Sequence, residues 1–370
     1  MIATKPRASL LILLLVSHAY VIGANRVIAT IPVGDSPAGI AITPDGRTAY
    51  VANDNNDSLP NGNTVSVLNL TNNTVELTIT STVFQQPYTV TINKAGTKVY
   101  VTNSDSSTVS VIDVATNTVI DTIFGFDGPS GFAITPNGNY AYVNNYGGPQ
   151  GVQSGNGTTV SVVDLATDTI VGPPITVGLA PAGLAITPNG AFVYVINYVD
   201  GNPGTGTISI IETSSNTVVG TITGFSGPFQ IAITPDGNYA YVTNFGSNNF
   251  SPVGTTMMVV NLKTNTIKTT IGLGTQPAGV AIAPNGRFVY VSNYNTLYLG
   301  PNYTDLTPGV GTINIIDVHT NKVLPQAFVV GSSPANIAIS PNGQRGYVSN
   351  YSSNTVSVLN ILDQMWLNVA

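Results

Sequence analysis

Gly183-Leu184-Ala185-Ile186-Thr187-Pro188-Asn189-Gly190-Ala191-Phe192-Val193-Tyr194-Val195-Ile196-Asn197 reads as two short strands joined by a tight turn. Apolar and small residues alternate on the first limb, and the second limb ends in Tyr-Val-x-Asn. Pro188 fixes one dihedral and Gly190 accepts positive φ, so the join is a hairpin. The closing motif recurs seven times, at Tyr50, Tyr100, Tyr142, Tyr194, Tyr241, Tyr290 and Tyr347. Six of the seven turns read Pro-Asp-Gly or Pro-Asn-Gly, and only Lys94-Ala95-Gly96 departs.

Working outward from the hairpin, each copy continues into a loop and a third strand such as Thr108-Val109-Ser110-Val111-Ile112. A second short turn follows, as at Thr116-Asn117-Thr118, and then a fourth strand, Val119-Ile120-Asp121-Thr122-Ile123. One repeat is therefore four antiparallel strands, A to D, in about 40 to 57 residues, the size of a propeller blade. A lone blade cannot bury both faces, so neighbours must stack. The termini supply complementary pieces. An orphan D strand, Val27-Ile28-Ala29-Thr30-Ile31, precedes the first A strand, and the last repeat ends at its C strand, Thr355-Val356-Ser357-Val358-Leu359. Laying one beside the other completes a seventh blade and removes an exposed edge. The expected fold is all-β: a seven-bladed β-propeller of four-stranded antiparallel blades, its ring closed by the N-terminal strand joining the C-terminal blade.

The Tyr-Val-x-Asn copies with their Pro-Asp/Asn-Gly turns resemble the YVTN family of propeller repeats over residues 27 to 362. That resemblance implies an exported or cell-surface protein of archaeal surface-layer or bacterial periplasmic type. It implies little about activity, because one propeller scaffold hosts many.

Composition agrees with an all-β array. Charged residues make up 8 % of the 370, against roughly 25 % in ordinary domains. Polarity comes instead from Asn, Thr, Ser and Gly. The net charge of −6 disfavours nonspecific attraction to nucleic acid. There is no cysteine, which excludes disulfides, thiolate catalysis and Cys-ligated metal. Residues 1–24 have the order of a secretory signal peptide. Lys5 and Arg7 precede an apolar run from Leu10 to Val16, and small residues follow at Ser17, Ala19 and Gly23-Ala24. Cleavage after Ala19 or Ala24 is expected, an uncleaved anchor being the alternative. The domain layout is then signal peptide 1–24, propeller 25–362 and tail 363–370, with no membrane span after cleavage. A closed ring predicts a monomer.

The topology sorts the loops. All A–B and C–D turns fall on one face, and all B–C and D–A connections fall on the other. Of 11 Lys and Arg, the nine beyond Lys5 and Arg7 map to turns or strand ends of the turn face. The long-loop face carries Asp35, Asp54, Asp57, Asp105, Asp127, Asp200 and Asp305 instead. A nucleic-acid groove needs clustered cations, so no nucleic-acid partner is expected.

The residue after Tyr-Val-x-Asn is aromatic in five repeats: Tyr146, Tyr198, Phe245, Tyr294 and Tyr351. Asn145, Asn197, Asn244, Asn293 and Asn350 precede them. Aromatic faces beside amides suit a carbohydrate or a protein partner at this rim. The competing explanation is structural, with the Asn capping its own loop and the ring packing between blades.

Catalytic sets are scarce. His18 lies in the leader and His319 in a C–D turn, so no Ser-His-Asp arrangement reaches the long-loop face. No catalytic residue and no cofactor is assigned. Calcium at Asp54 and Asp57 is the one metal reading, and the spacing matches no defined loop. The expectation is a non-enzymatic exported binding or surface-scaffold protein. The alternative is a lactonase-like or other hydrolase with a carboxylate or metal site at the channel mouth.

Overall fold

The computed structural model describes residues 26–54, 63–148, 155–198, 204–246, 253–294 and 310–361. The leader and the tail expected from the sequence lie outside these. The described chain forms seven separate antiparallel sheets and a single 3₁₀ turn at Tyr351–Ser353. The first sheet runs Pro37–Ile42, Thr48–Asn53, Thr64–Asn69, Thr74–Thr80 in hydrogen-bonded order. Five more sheets repeat that order, with inner strands starting at Pro87, Pro129, Pro181, Pro228 and Pro277. We number these blades 1 to 6.

Blade 7 takes strands A to C from Pro334–Ile339, Arg345–Asn350 and Thr355–Asn360. Its D strand is the first among the described residues, Arg26–Pro32. The register runs from Arg26 opposite Asn360 to Pro32 opposite Thr355. The seven A strands also contact one another in a closed ring, blade 7 meeting blade 1 as the others meet their neighbours. The expected seven-bladed propeller with closure from both chain ends is thus the fold observed.

Two blades have broken D strands. In blade 3 the strand splits into Thr169–Ile170 and Ile175–Thr176 around Pro173-Pro174. In blade 6 it splits into Lys322–Val323 and Phe328–Val330 around Pro325. Proline removes a ladder donor, and the outermost strand is where a sheet tolerates that loss.

The core lies between blades, not within them. The described residues form seven buried apolar clusters, and each spans one interface. Tyr50, Val65 and Val67 of blade 1 pack with Val90, Val99, Val101 and Ile112 of blade 2. At the closure, Tyr347, Val356 and Val358 of blade 7 pack with Ile40, Val51 and Leu68 of blade 1. Alternation along each strand supplies one apolar face to each neighbour.

The repeated tyrosine has a specific task at these interfaces. Its ring is buried, and in five of the seven blades its hydroxyl bonds a residue of the C–D turn of the next blade. Tyr50, Tyr142, Tyr194 and Tyr241 donate to Asn117, Asn216, Asn265 and Asn321 Oδ1 at 2.5 to 2.8 Å. Each acceptor sits at positive φ between 52° and 55°, a conformation that Asn tolerates better than most residues. Tyr100 makes the same bond to Asp168 at 2.9 Å, and Lys98 pairs with that carboxylate. Motif and turn residue are therefore two halves of one interblade bond.

At the centre the A strands approach closely. A Cβ on Gly39 would lie 2.4 Å from the carbonyl oxygen of Tyr88 in the next blade, so this position admits no side chain. The residue between Val and Asn of the motif bridges the same seam. Ser349 Oγ donates to Ala38 O at 2.5 Å across the ring closure, and Thr243 Oγ1 to Ala278 O at 2.9 Å.

Candidate functional site

Every D–A connection ends in a residue of positive φ immediately before the proline that opens strand A. These are Ser36, Gln86, Gly128, Ala180, Gly227, Gln276 and Ser333, with φ between 49° and 55°. That kink aims the carbonyl of each at the end of strand B in its own blade. It accepts the N–H of the residue after the motif's Asn: Asp54, Ser104, Tyr146, Tyr198, Phe245, Tyr294 and Tyr351, at 2.9 to 3.1 Å. One backbone frame thus presents seven equivalent side chains around the ring. Five are aromatic, one is Ser and one is Asp.

The asparagines before them are tied into their own blades. Asn145, Asn197 and Asn350 are buried, and each Nδ2 donates to the hydroxyls of Thr159 and Ser161, Thr207 and Ser209, or Thr355 and Ser357 on strand C. Asn244 donates to Thr256, and Asn293 to Thr312 and Asn314. Asn53 and Asn103 do the same in blades 1 and 2. All these bonds measure 2.8 to 3.1 Å. The donor side of every amide is therefore committed to holding the end of strand B against strand C.

The aromatic side chains converge instead of spreading. Tyr198 and Phe245 are buried. Their rings join a chain of contacts that runs Tyr198, Phe229, Phe245, Tyr294, Tyr351, with centroid separations of 6.5, 5.2, 5.9 and 6.2 Å. Offset and edge-to-face geometry of this kind is favourable beyond area burial. Tyr198 Oη is anchored on Gly246 O at 2.7 Å. Tyr351 Oη points to Asp54 Oδ2 at 3.5 Å, which carries the chain on to blade 1. Tyr146 packs at the edge of the core between blades 4 and 5.

Two members of this cluster, Tyr88 and Phe229, lie outside the motif. Each follows the proline that opens strand A, the innermost strand. The other five repeats place Ala38, Ser130, Ala182, Ala278 and Ala335 there. The usable signal is a large ring at a position that is otherwise small. Burial pushes the Tyr88 phenol well up, and the Asp54 charge adds to the shift, with Tyr146, Tyr351 and Tyr294 as further neighbours. Burial first, with the Asp54 charge adding to it, likewise raises Tyr294 and Tyr351. The mouth of the central channel therefore gathers residues from all seven blades: Asp54, Tyr88, Tyr146, Tyr198, the pair Phe229 and Phe245, Tyr294 and Tyr351.

Asp54 is the singular group among them. It is 6 % exposed. Burial first, and the nearby Asp105 second, push its carboxyl up to about 7, against the smaller opposing pull of Tyr351. Its Oδ1 is buried without a hydrogen-bond partner among the described residues. The one ion pair among those residues, Lys98 with Asp168, joins a C–D turn and so lies on the turn face. Asp57 falls outside the described residues. Within them no three His, Cys, Asp or Glu side chains gather as a metal site. His319 is exposed in its C–D turn.

Three comparisons bear on this geometry. A family model described as "Lactonase, 7-bladed beta-propeller" matches residues 24–120, which hold the leading strand, blade 1 and most of blade 2. PE-PGRS family protein PE_PGRS18 of Mycobacterium tuberculosis is 51 % identical over 59 residues, 16 % of this chain and 13 % of that protein. The seven-bladed beta-propeller protein Rv1057 of the same organism is 31 % identical over 151 residues, 40 % of this chain and 35 % of that protein. The matches span little more than a third of these curated relatives at most. Among solved structures, hydrazine synthase of Kuenenia stuttgartiensis superposes with a TM-score of 0.72 and 22 % identity, covering 89 % of this chain and 96 % of that one. The family model and Rv1057 are both described as seven-bladed propellers, and the superposition on the solved structure concerns the fold alone. No helix among the described residues is long and apolar enough to cross a membrane.

Proposed function

We propose that this chain is a non-enzymatic exported binding or surface-scaffold protein of YVTN type, and that its ligand enters the aromatic mouth of the channel on the long-loop face. The observation that carries the proposal is Asp54 set among the rings. A carboxylate that is buried, unpaired on one oxygen and raised to about 7 costs folding stability. The backbone frame does not require it, since Ser104 fills the same position in blade 2. Aromatic faces around one polar group are the usual make-up of a ligand pocket.

The test uses Y351A and D54N in the full chain, with a capture screen against glycans and envelope proteins. Loss of a captured ligand in both variants, with the wild-type melting transition kept in Y351A, supports binding at the mouth. Retention of every captured ligand in both variants overturns it.

A hydrolase is the second reading. The lactonase family model and a carboxyl poised near neutrality favour it, because a general acid or base works best near the ambient pH. Against it, the described residues bring one carboxylate to the mouth, with Asp105 near, and no metal-ligand cluster. Turnover of a lactone panel that disappears in D54N would replace the binding proposal with this one.

A further inference from the structure

Resting on the binding proposal, we propose that the ligand group held at the mouth is an organic ammonium cation, a quaternary or highly alkylated ammonium, with Asp54 as its counter-charge and the rings of Tyr88, Tyr294 and Tyr351 as its walls.

Charge is the first argument. Asp54 is 6 % exposed and its Oδ1 is unpartnered among the described residues, while Oδ2 meets only a long bond from Tyr351. Asp105, the charged group that acts on it, is of the same sign. A buried carboxylate beside a second acid, with no cation supplied by the protein, is incomplete without a positive partner. An anionic ligand is excluded by the same two charges.

Ring chemistry is the second argument. Phe245, Tyr294 and Tyr351 form a continuous run of contacts that ends on Asp54. Tyr88 enters from the innermost strand, close enough to be raised by Asp54 and by both tyrosines. Aromatic faces are electron-rich and attract a diffuse cation, most strongly when water is excluded. A hard metal ion would want six or more oxygen ligands, and among the described residues no three His, Cys, Asp or Glu side chains gather to anchor one.

Polar capacity is the third argument. A sugar ring needs several donors and acceptors aimed at it. The amide donors are spent on strand C, and the Tyr198 hydroxyl is spent on Gly246. What the rings and Asp54 present at the mouth is aromatic faces, phenol hydroxyls and one charge, the unpartnered Oδ1 atoms of Asn53, Asn103, Asn197, Asn244, Asn293 and Asn350 being buried. That set favours a group with a diffuse positive charge and little hydrogen-bonding demand, which describes an alkylated ammonium.

The experiment is calorimetric titration of the full chain with choline and with 3,3-dimethyl-1-butanol, its uncharged isostere, at fixed ionic strength. The expected result is binding of choline at least tenfold tighter than of the isostere. D54N should remove at least tenfold of that affinity, and Y290F, in the core between blades 6 and 7, should keep it. Y351L, which keeps bulk and loses the ring, should weaken it by about three- to tenfold. A melting curve of each variant checks the fold. Equal affinity for choline and its isostere, or no binding of either, overturns the inference. A neutral glycan or protein captured at the mouth, lost in Y351A and kept in D54N, would also overturn it while leaving the mouth as a binding site.

Discussion

The two faces of the ring use the same repeat in opposite ways. On the turn face the repeat is spent on regularity. Tyr50, Tyr142, Tyr194 and Tyr241 each find an Asn at positive φ in the next blade, and the bonds differ by only a few tenths of an ångström. On the long-loop face the backbone is equally regular, since all seven D–A kinks hold the residue after the motif at 2.9 to 3.1 Å. The side chains presented there are not alike. Constant side chains on a constant frame mark what holds the ring together. Varied side chains on a constant frame mark what the ring is for.

That contrast breaks most severely if the closure is removed. Arg26–Pro32 is the D strand of blade 7, and it contributes to two interfaces. Ile31 is buried in the cluster shared with blade 1, and Val27 packs against the cluster shared with blade 6. A chain starting at Val33 leaves the edge of Thr355–Asn360 unpaired and both clusters open. The expected outcome is loss of the single cooperative transition in chemical unfolding, together with aggregation through the bared edge. A truncated chain that melts as one unit at the wild-type midpoint would contradict ring closure as the organising element.

The next effect in size separates the faces directly. Tyr241→Ala removes a fully buried ring and the bond to Asn321. Loss of a large core side chain costs about 3–5 kcal/mol. Tyr351→Ala removes a half-buried ring at the mouth and should cost about 1 kcal/mol or less at this exposure. Denaturant titrations of the two variants check the ordering. Equal costs would mean that the mouth rings are core, and the contrast between faces would fail.

Asp54 gives a pH-dependent version of the same test. Its carboxyl titrates near 7 in the fold and near 3.8 in the unfolded chain. The folded state therefore holds the extra proton between these values, and stability falls as pH rises from about 4 to about 7. Above 7 the full cost stands. Three pKa units correspond to at most about 4 kcal/mol. D54N carries no such cost, so it should be more stable than wild type at pH 8 by about 1–4 kcal/mol. The gain should vanish toward pH 4. An unchanged difference across this range would mean that Asp54 is solvated and that no charge is buried at the mouth.

Much of this molecule was legible in the sequence, for physical reasons that also mark where legibility ends. Seven hairpins and the complementary terminal strands, Val27–Ile31 and Thr355–Leu359, determine the ring, because alternation and turn chemistry are local and a sheet edge demands a partner. Tyr146, Tyr198, Phe245, Tyr294 and Tyr351 could be found as equivalent positions, because the repeat defines equivalence. Their convergence could not, since it depends on ring radius and side-chain direction. Tyr88 and Phe229 were hidden in a position where small residues are the rule. The task of the motif asparagine also reads poorly. Its partners, the Thr and Ser of strand C, stand on a neighbouring strand after a loop of varying length, so no fixed spacing announces the bond.

The smallest prediction sharpens the turn face itself. Tyr50 donates to Asn117 at 2.5 Å across the interface with blade 2. Tyr290 is buried to the same degree, but it faces blade 7, whose C and D strands come from opposite ends of the chain and share no turn. Its hydroxyl makes no hydrogen bond among the described residues. Tyr50→Phe should therefore cost about 1 kcal/mol, the net worth of a hydrogen bond, with more if Asn117 is left unsatisfied. Tyr290→Phe removes the same atom where no partner waits and should change stability by less than about 0.5 kcal/mol. Two otherwise identical substitutions in equivalent repeats then differ only by the presence of a C–D turn across the interface. If Y290F costs as much as Y50F, the value of the motif tyrosine lies in its ring alone, and the pairing of Tyr with the turn Asn is not what selects the motif.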